Sequence, residues 1–145
     1  MGSKYDMVAR LLVAVDVSGS ISETSLAEFF GVISKFFKYG ITTLDIIQFD
    51  TELKNDIITM DKSFRATQQI KILGRGGTSY QPVINYIHEH KQYDGLIVFT
   101  DGDGAVPRID FATRTKLLWV CQNKNAYNRH HSWMEKTGRA CYVEK

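Results

Sequence analysis

The chain carries only two cysteines, Cys121 and Cys141, among its 145 residues. They are too few and too widely separated for a disulfide framework, and both fall in apolar, strand-like stretches, so buried free thiols are expected. No apolar run approaches the roughly 20 residues that span a bilayer, and the start has no signal-peptide hydrophobic region, which points away from the membrane and toward the cytoplasm. Neither charge dominates: 18 Lys and Arg face 16 Asp and Glu, interspersed along the chain, which leaves no basic stripe for nucleic acid. Internal repeats, low-complexity tracts and interdomain linkers are also missing. What remains is one domain's length of chain with 43% hydrophobic residues, enough for a real core.

Residues 1–145 are therefore read as a single domain. Met1-Gly2-Ser3 looks like a cloning remnant, and the first strand starts soon after it, so a domain cut from a longer protein is expected. Val8 to Val15 is a nearly continuous apolar run, as in a parallel strand covered on both faces. Ser22 and Glu23 then open a helix with Leu26, Phe29, Phe30, Ile33, Phe36 and Phe37 on one stripe, closed by Gly40. Thr42 to Phe49 and Asp56 to Met60 read as two strands of a hairpin around the polar turn Asp50 to Asn55. A short helix is expected over Ser63 to Leu73, and another from Pro82 to about His90 with Val83, Ile84 and Ile87 inward. Leu96 to Thr100 is a strand, Phe111 to Arg114 a short turn, Lys116 to Cys121 a strand, Asn123 to Lys136 a polar surface connection with a short helix, and Arg139 to Val143 a last strand. Strands alternating with helices predict an α/β sheet in three layers.

Two of the apolar runs end in acids. Asp16 follows Leu11-Leu12-Val13-Ala14-Val15, with Ser18 and Ser20 at alternating positions beyond it, and Asp101 follows Leu96-Ile97-Val98-Phe99 and Thr100. Open α/β sheets bind ligands outside the carboxyl ends of their strands where strand order reverses, and these loops would face each other there. With Thr78, all five side chains offer oxygen. Hard oxygen donors with few carboxylates suit Mg²⁺ or Mn²⁺ at about 2.1 Å rather than zinc, which prefers nitrogen and sulfur. Two carboxylates neutralise a divalent ion, which leaves it able to take one further anionic oxygen, such as a partner's Asp or Glu.

The segments D-V-S-G-S at Asp16 to Ser20, G-G-T at Gly76 to Thr78 and T-D-G at Thr100 to Gly102 resemble, in order and spacing, the metal-ion-dependent adhesion site (MIDAS) of the von Willebrand factor A (VWA) family. The resemblance covers nearly the whole chain and is greatest to compact bacterial VWA-like domains at the C-terminus of metallopeptidase-type proteins, often encoded beside MoxR-type AAA+ ATPases. It implies a Rossmann-like sandwich of strand order 3-2-1-4-5-6 with one antiparallel edge strand. It further implies that Asp16, Ser18, Ser20, Thr78 and Asp101 hold the metal, the serines directly and the aspartates often through water. The implied function is a non-catalytic, metal-dependent protein-interaction module whose partner supplies an acidic side chain, an AAA+ ATPase of the MoxR type or its client being the candidate.

Other readings compete. Strand-end aspartates with Mg²⁺ also serve phosphoryl transfer, but a D-x-D pair would need an acid where Ser18 stands. The G-x-S-x-G elbow of serine hydrolases is absent around Ser18 and Ser20, and the acidic cluster of a receiver domain is missing after the first strand. His130 and His131 read as a solvated pair, since adjacent histidines do not share a helix face and no third zinc ligand is suitably spaced. Asp103 reads as a solvated residue of the D-G-D-G turn rather than a water-mediated ligand, and Trp119 and Trp133 as packing residues.

Overall fold

Leu11–Asp16 forms strand β1, which pairs in parallel with a strand on each side and is buried from Leu12 onward. The computed structural model describes residues 10–54, 57–61, 72, 75–110 and 115–144. In chain order β1 is followed by helix α1 (Glu23–Phe36), β2 (Thr43–Phe49), β3 (Ile58–Asp61), α2 (Gln81–Glu89), β4 (Gly95–Thr100), β5 (Lys116–Cys121), α3 (Lys124–Met134) and β6 (Arg139–Tyr142). The six strands form one sheet in the order β3-β2-β1-β4-β5-β6, as expected, parallel throughout except for the β2–β3 edge pair. The expected helix over 63–73, apart from Ile72, and the turn over 111–114 lie outside the described residues.

Side-chain alternation along β1 divides the core. Leu12 and Ala14 face a cluster that includes Val83, Ile84 and Ile87 of α2 and Ala126 and Met134 of α3, whereas Val13 and Val15 face Leu26, Phe29, Phe30 and Ile33 of α1. Helices thus cover both faces, which is why β4 is buried at every position, while the edge strands β3 and β6 alternate between partly buried and exposed residues. That alternation corrects one expectation. Cys121 on inner strand β5 is buried, but Cys141 on edge strand β6 is exposed; both thiols are free.

Local signals place the helices. The Ser22 hydroxyl accepts from the Ser25 amide at 3.0 Å and starts α1, and a 3-10 turn (Phe37–Tyr39) carries it to Gly40. Asn123 caps α3 in the same way, its Oδ1 accepting from the Ala126 amide at 2.8 Å. The polar stretch from Asn123 is accordingly not a connection with a short helix but an 11-residue helix, anchored in the core through Ala126 and Met134.

Candidate functional site

The chain leaves β1 through α1 to β2 on one side and later returns through α2 to β4 on the other, so strand order reverses between β1 and β4. The loops after these two strands stand at the end of the sheet where open α/β folds generally bind their ligands. Asp16 is the last residue of β1, and Asp101 directly follows β4. Asp16 is fully buried, Asp101 and Ser18 are 1% exposed, and Ser20 lies at the surface.

Hydrogen bonds draw four of the five expected residues into one group. The Ser18 amide donates to Asp16 Oδ1 at 2.9 Å, which folds the first loop back on its own carboxylate. The Ser18 and Ser20 hydroxyls are 3.2 Å apart, and Ser20 Oγ donates to Asp101 Oδ2 at 2.7 Å. Thr100 Oγ1 donates to Asp16 Oδ2 at 2.6 Å, linking the two strand ends a second time.

The stretch carrying Thr78 is pinned between the other two loops by its backbone. Gly76 accepts from the Gly19 amide at 2.9 Å, and Ser79 forms a bridge with Ala105 beyond Asp101. The methyl group of Thr78 closes on Gly104, where an added Cβ would come within 3.0 Å of it. Among the described residues the Thr78 hydroxyl makes no hydrogen bond to the other four groups.

Burial raises the pKa of Asp16 above the ordinary carboxylate value; hydrogen bonds from Ser18 and Thr100 offset part of the effect, and the nearby Asp101 charge adds to it. Among the described residues no Lys, Arg or His forms an ion pair with either acid. Nor do the described residues hold a group of three or more His, Cys, Asp and Glu arranged around a metal; the cluster consists of two acids supplemented by hydroxyls.

Several supporting residues escaped the sequence reading. Asp50, just after β2, binds the second loop: its Oδ2 accepts from the Gly76 amide at 3.1 Å and its carbonyl from the Ser79 amide at 2.8 Å. An acid directly after an apolar strand was the available signal, the same one that singled out Asp16 and Asp101. Tyr80, 1% exposed, places its hydroxyl 2.8 Å from Thr100 Oγ1. Burial pushes the Tyr80 phenol well above its ordinary pKa, against the Thr100 hydrogen bond and with the help of the nearby acids, so the phenol keeps its proton. Nothing in the local sequence separates this tyrosine from a core aromatic.

His130 is not the solvated residue expected. Its Nε2 lies 2.8 Å from Asp103 Oδ1, the Trp133 indole donates to its Nδ1 at 3.2 Å, and its ring covers Gly102. Gly102 has a φ of 86°, and a Cβ there would meet the ring at 2.5 Å, so both backbone and space require glycine. Asp103 is a half-exposed turn residue that also faces Arg129 at 3.4 Å, and its amide donates to Asp101 Oδ1 at 3.0 Å. Trp119 and Trp133 pack as expected, with ring centroids 5.0 Å apart.

Residues 11–134 match the family of VWA-like domains designated DUF2201. The chain belongs to this family. It is also 30% identical over 121 residues to an uncharacterised protein of Thermotoga maritima, covering 82% of the chain but only 28% of that relative's length. The VWA-like domain therefore corresponds to a part of a much longer protein in that relative. Among solved structures, an aerotolerance-related membrane protein from Bacteroides fragilis superposes with a TM-score of 0.63 over 94% of this chain and 92% of that one, at 13% identity. At that identity the likeness establishes the fold alone. VWA-like domains are typically protein-interaction modules. Among the described residues no helix is long and apolar enough to cross a membrane.

Proposed function

We propose that this VWA-like domain binds a protein partner through a divalent cation, Mg²⁺ or Mn²⁺, held by Asp16, Ser18, Ser20, Thr78 and Asp101. The observation that supports the reading is the pair of buried carboxylates, Asp16 and Asp101, delivered by adjacent strands and bridged by hydroxyls, with no cationic side chain paired to either among the described residues. Uncompensated acids are costly to bury, and a divalent cation offsets that cost directly. The donor set fits such an ion: every candidate group is a hard oxygen, and only two carry charge.

Each residue has a distinct task. Asp16 and Asp101 supply the neutralising charge. Ser18 and Ser20 present hydroxyls that now bond to one another and to Asp101, and Thr78 approaches from the second loop. With the two charges balanced, a partner's Asp or Glu can add a further oxygen, and the bound metal would act there as a recognition hook with strict geometry. A MoxR-type AAA+ ATPase, or its client, is the candidate partner. Phosphoryl transfer is less well supported, because Ser18 occupies the position where a second catalytic acid would stand and its side chain bonds to Ser20.

The test is isothermal titration with Mg²⁺. Wild type is expected to bind and Asp101→Ala to lose at least 100-fold in affinity, while the variant remains folded by circular dichroism. Equal affinity in both proteins would remove Asp101 from the site, and no binding by wild type would remove the metal. A pull-down from native lysate, with Mg²⁺ or with EDTA, then asks whether capture of the AAA+ ATPase depends on the ion.

A further inference from the structure

We infer that the Tyr80 hydroxyl is a positioning group for the carboxylate of Asp16, acting through Thr100; the inference rests on the metal-site reading above. The direction of the hydrogen bonds carries it. An ionised Asp16 can only accept, so the single Thr100 hydroxyl hydrogen goes to Asp16 Oδ2, 2.6 Å away. The Gly102 amide donates to the same Thr100 oxygen at 3.1 Å. Tyr80 Oη stands 2.8 Å from that oxygen, whose hydrogen is already committed, so Tyr80 must be the donor.

The result is a one-way chain, Tyr80 to Thr100 to Asp16, in which each bond polarises the next. Asp16 Oδ2 is held by Thr100 and Oδ1 by the Ser18 amide, which together fix the plane of the carboxylate. Tyr80 itself has no freedom to drift. Its ring packs against Trp119 at 5.1 Å, Trp133 at 5.8 Å and Phe49 at 5.9 Å between centroids, and Gly104 approaches so closely that a Cβ would lie 2.7 Å from it. Because Tyr80 is two residues beyond Thr78, it also joins the second loop to the ends of β1 and β4. Outer groups that orient a metal's carboxylates commonly contribute about 10- to 100-fold to affinity.

Tyr80→Phe keeps the ring and its packing and removes only the donor, and the Gly102 amide still satisfies the Thr100 oxygen. Mg²⁺ affinity by isothermal titration is expected to fall about 10-fold, with urea unfolding in EDTA nearly unchanged. Thr100→Val interrupts the chain at its middle, so in that background Tyr80→Phe should cause no further loss. Wild-type affinity in Tyr80→Phe, or losses that add in the double variant, would overturn the positioning role and leave the metal site standing. A wild-type protein that binds no Mg²⁺ would overturn both.

Discussion

Asp16 and Asp50 emerge from neighbouring strands at the same end of the sheet, where Asp16 is in register with Phe49, and both are almost fully buried. Their electrostatic settings are opposite. Asp50 also suffers from burial, but it accepts amide hydrogens from Glu52 and Gly76 and pairs with Lys54 at 3.2 Å, so its pKa is held down at about 2. Asp16 is raised by burial and further by the nearby Asp101 charge; its hydrogen bonds offset only part of this, and among the described residues no cation pairs with it. A buried acid with its own lysine is a structural tie; a buried acid beside another acid, at the point where strand order reverses, is the setting on which the proposed cation site rests.

The comparison can be broken most forcefully at Asp50. Asp50→Ala removes the acceptor for two amides and leaves Lys54 without its buried partner, and urea unfolding should show a loss of about 3 kcal/mol. Asp16→Asn is expected to behave differently. In EDTA it should be at least as stable as wild type, because the raised pKa means that the ionised carboxylate opposes folding at neutral pH. With Mg²⁺ at 100 times the dissociation constant, wild type should gain about 2.7 kcal/mol and Asp16→Asn nothing, so equal gains would erase the distinction between the two acids.

Lys54→Gln tests the smallest difference. It removes the cation but keeps the amide donors, and because the Lys54 side chain is partly solvated the cost should be about 1 kcal/mol. The contribution of Asp50 is present above the ordinary carboxylate value of 3.8 and is lost as pH falls toward about 2. Acid unfolding of Lys54→Gln should accordingly begin at higher pH than that of wild type. An unchanged acid limb would show that the amides alone depress the Asp50 pKa.

Much of the scaffold was readable from residue order. The stripe from Leu26 to Ile33 with Ser22 before it marked α1, and the uninterrupted run from Leu96 to Phe99 marked a strand covered on both faces. The α3 helix was underestimated because most of its residues are polar, and its two anchors, Ala126 and Met134, are eight positions apart. His130 was misjudged for a related reason: a histidine on a polar helix reads as solvated until a glycine from another loop is brought beneath it. Cys141 looked buried because an edge strand and an inner strand can have the same local composition. At the site, the three motifs were visible as spacing, and Asp50 carried the same strand-end signal as Asp16, whereas the link from Tyr80 through Thr100 to Asp16 showed only as contacts.

Residue order by itself determined the α/β character, the strand-end acids and the hydroxyl donors, since these follow from local periodicity and side-chain chemistry. Tertiary structure alone decided that Asp50 holds the loop of Gly76, which tyrosine reached Thr100 and which histidine covered Gly102. Burial and the hydrogen bonds that join separate loops depend on groups distant in the chain, and local periodicity does not report them.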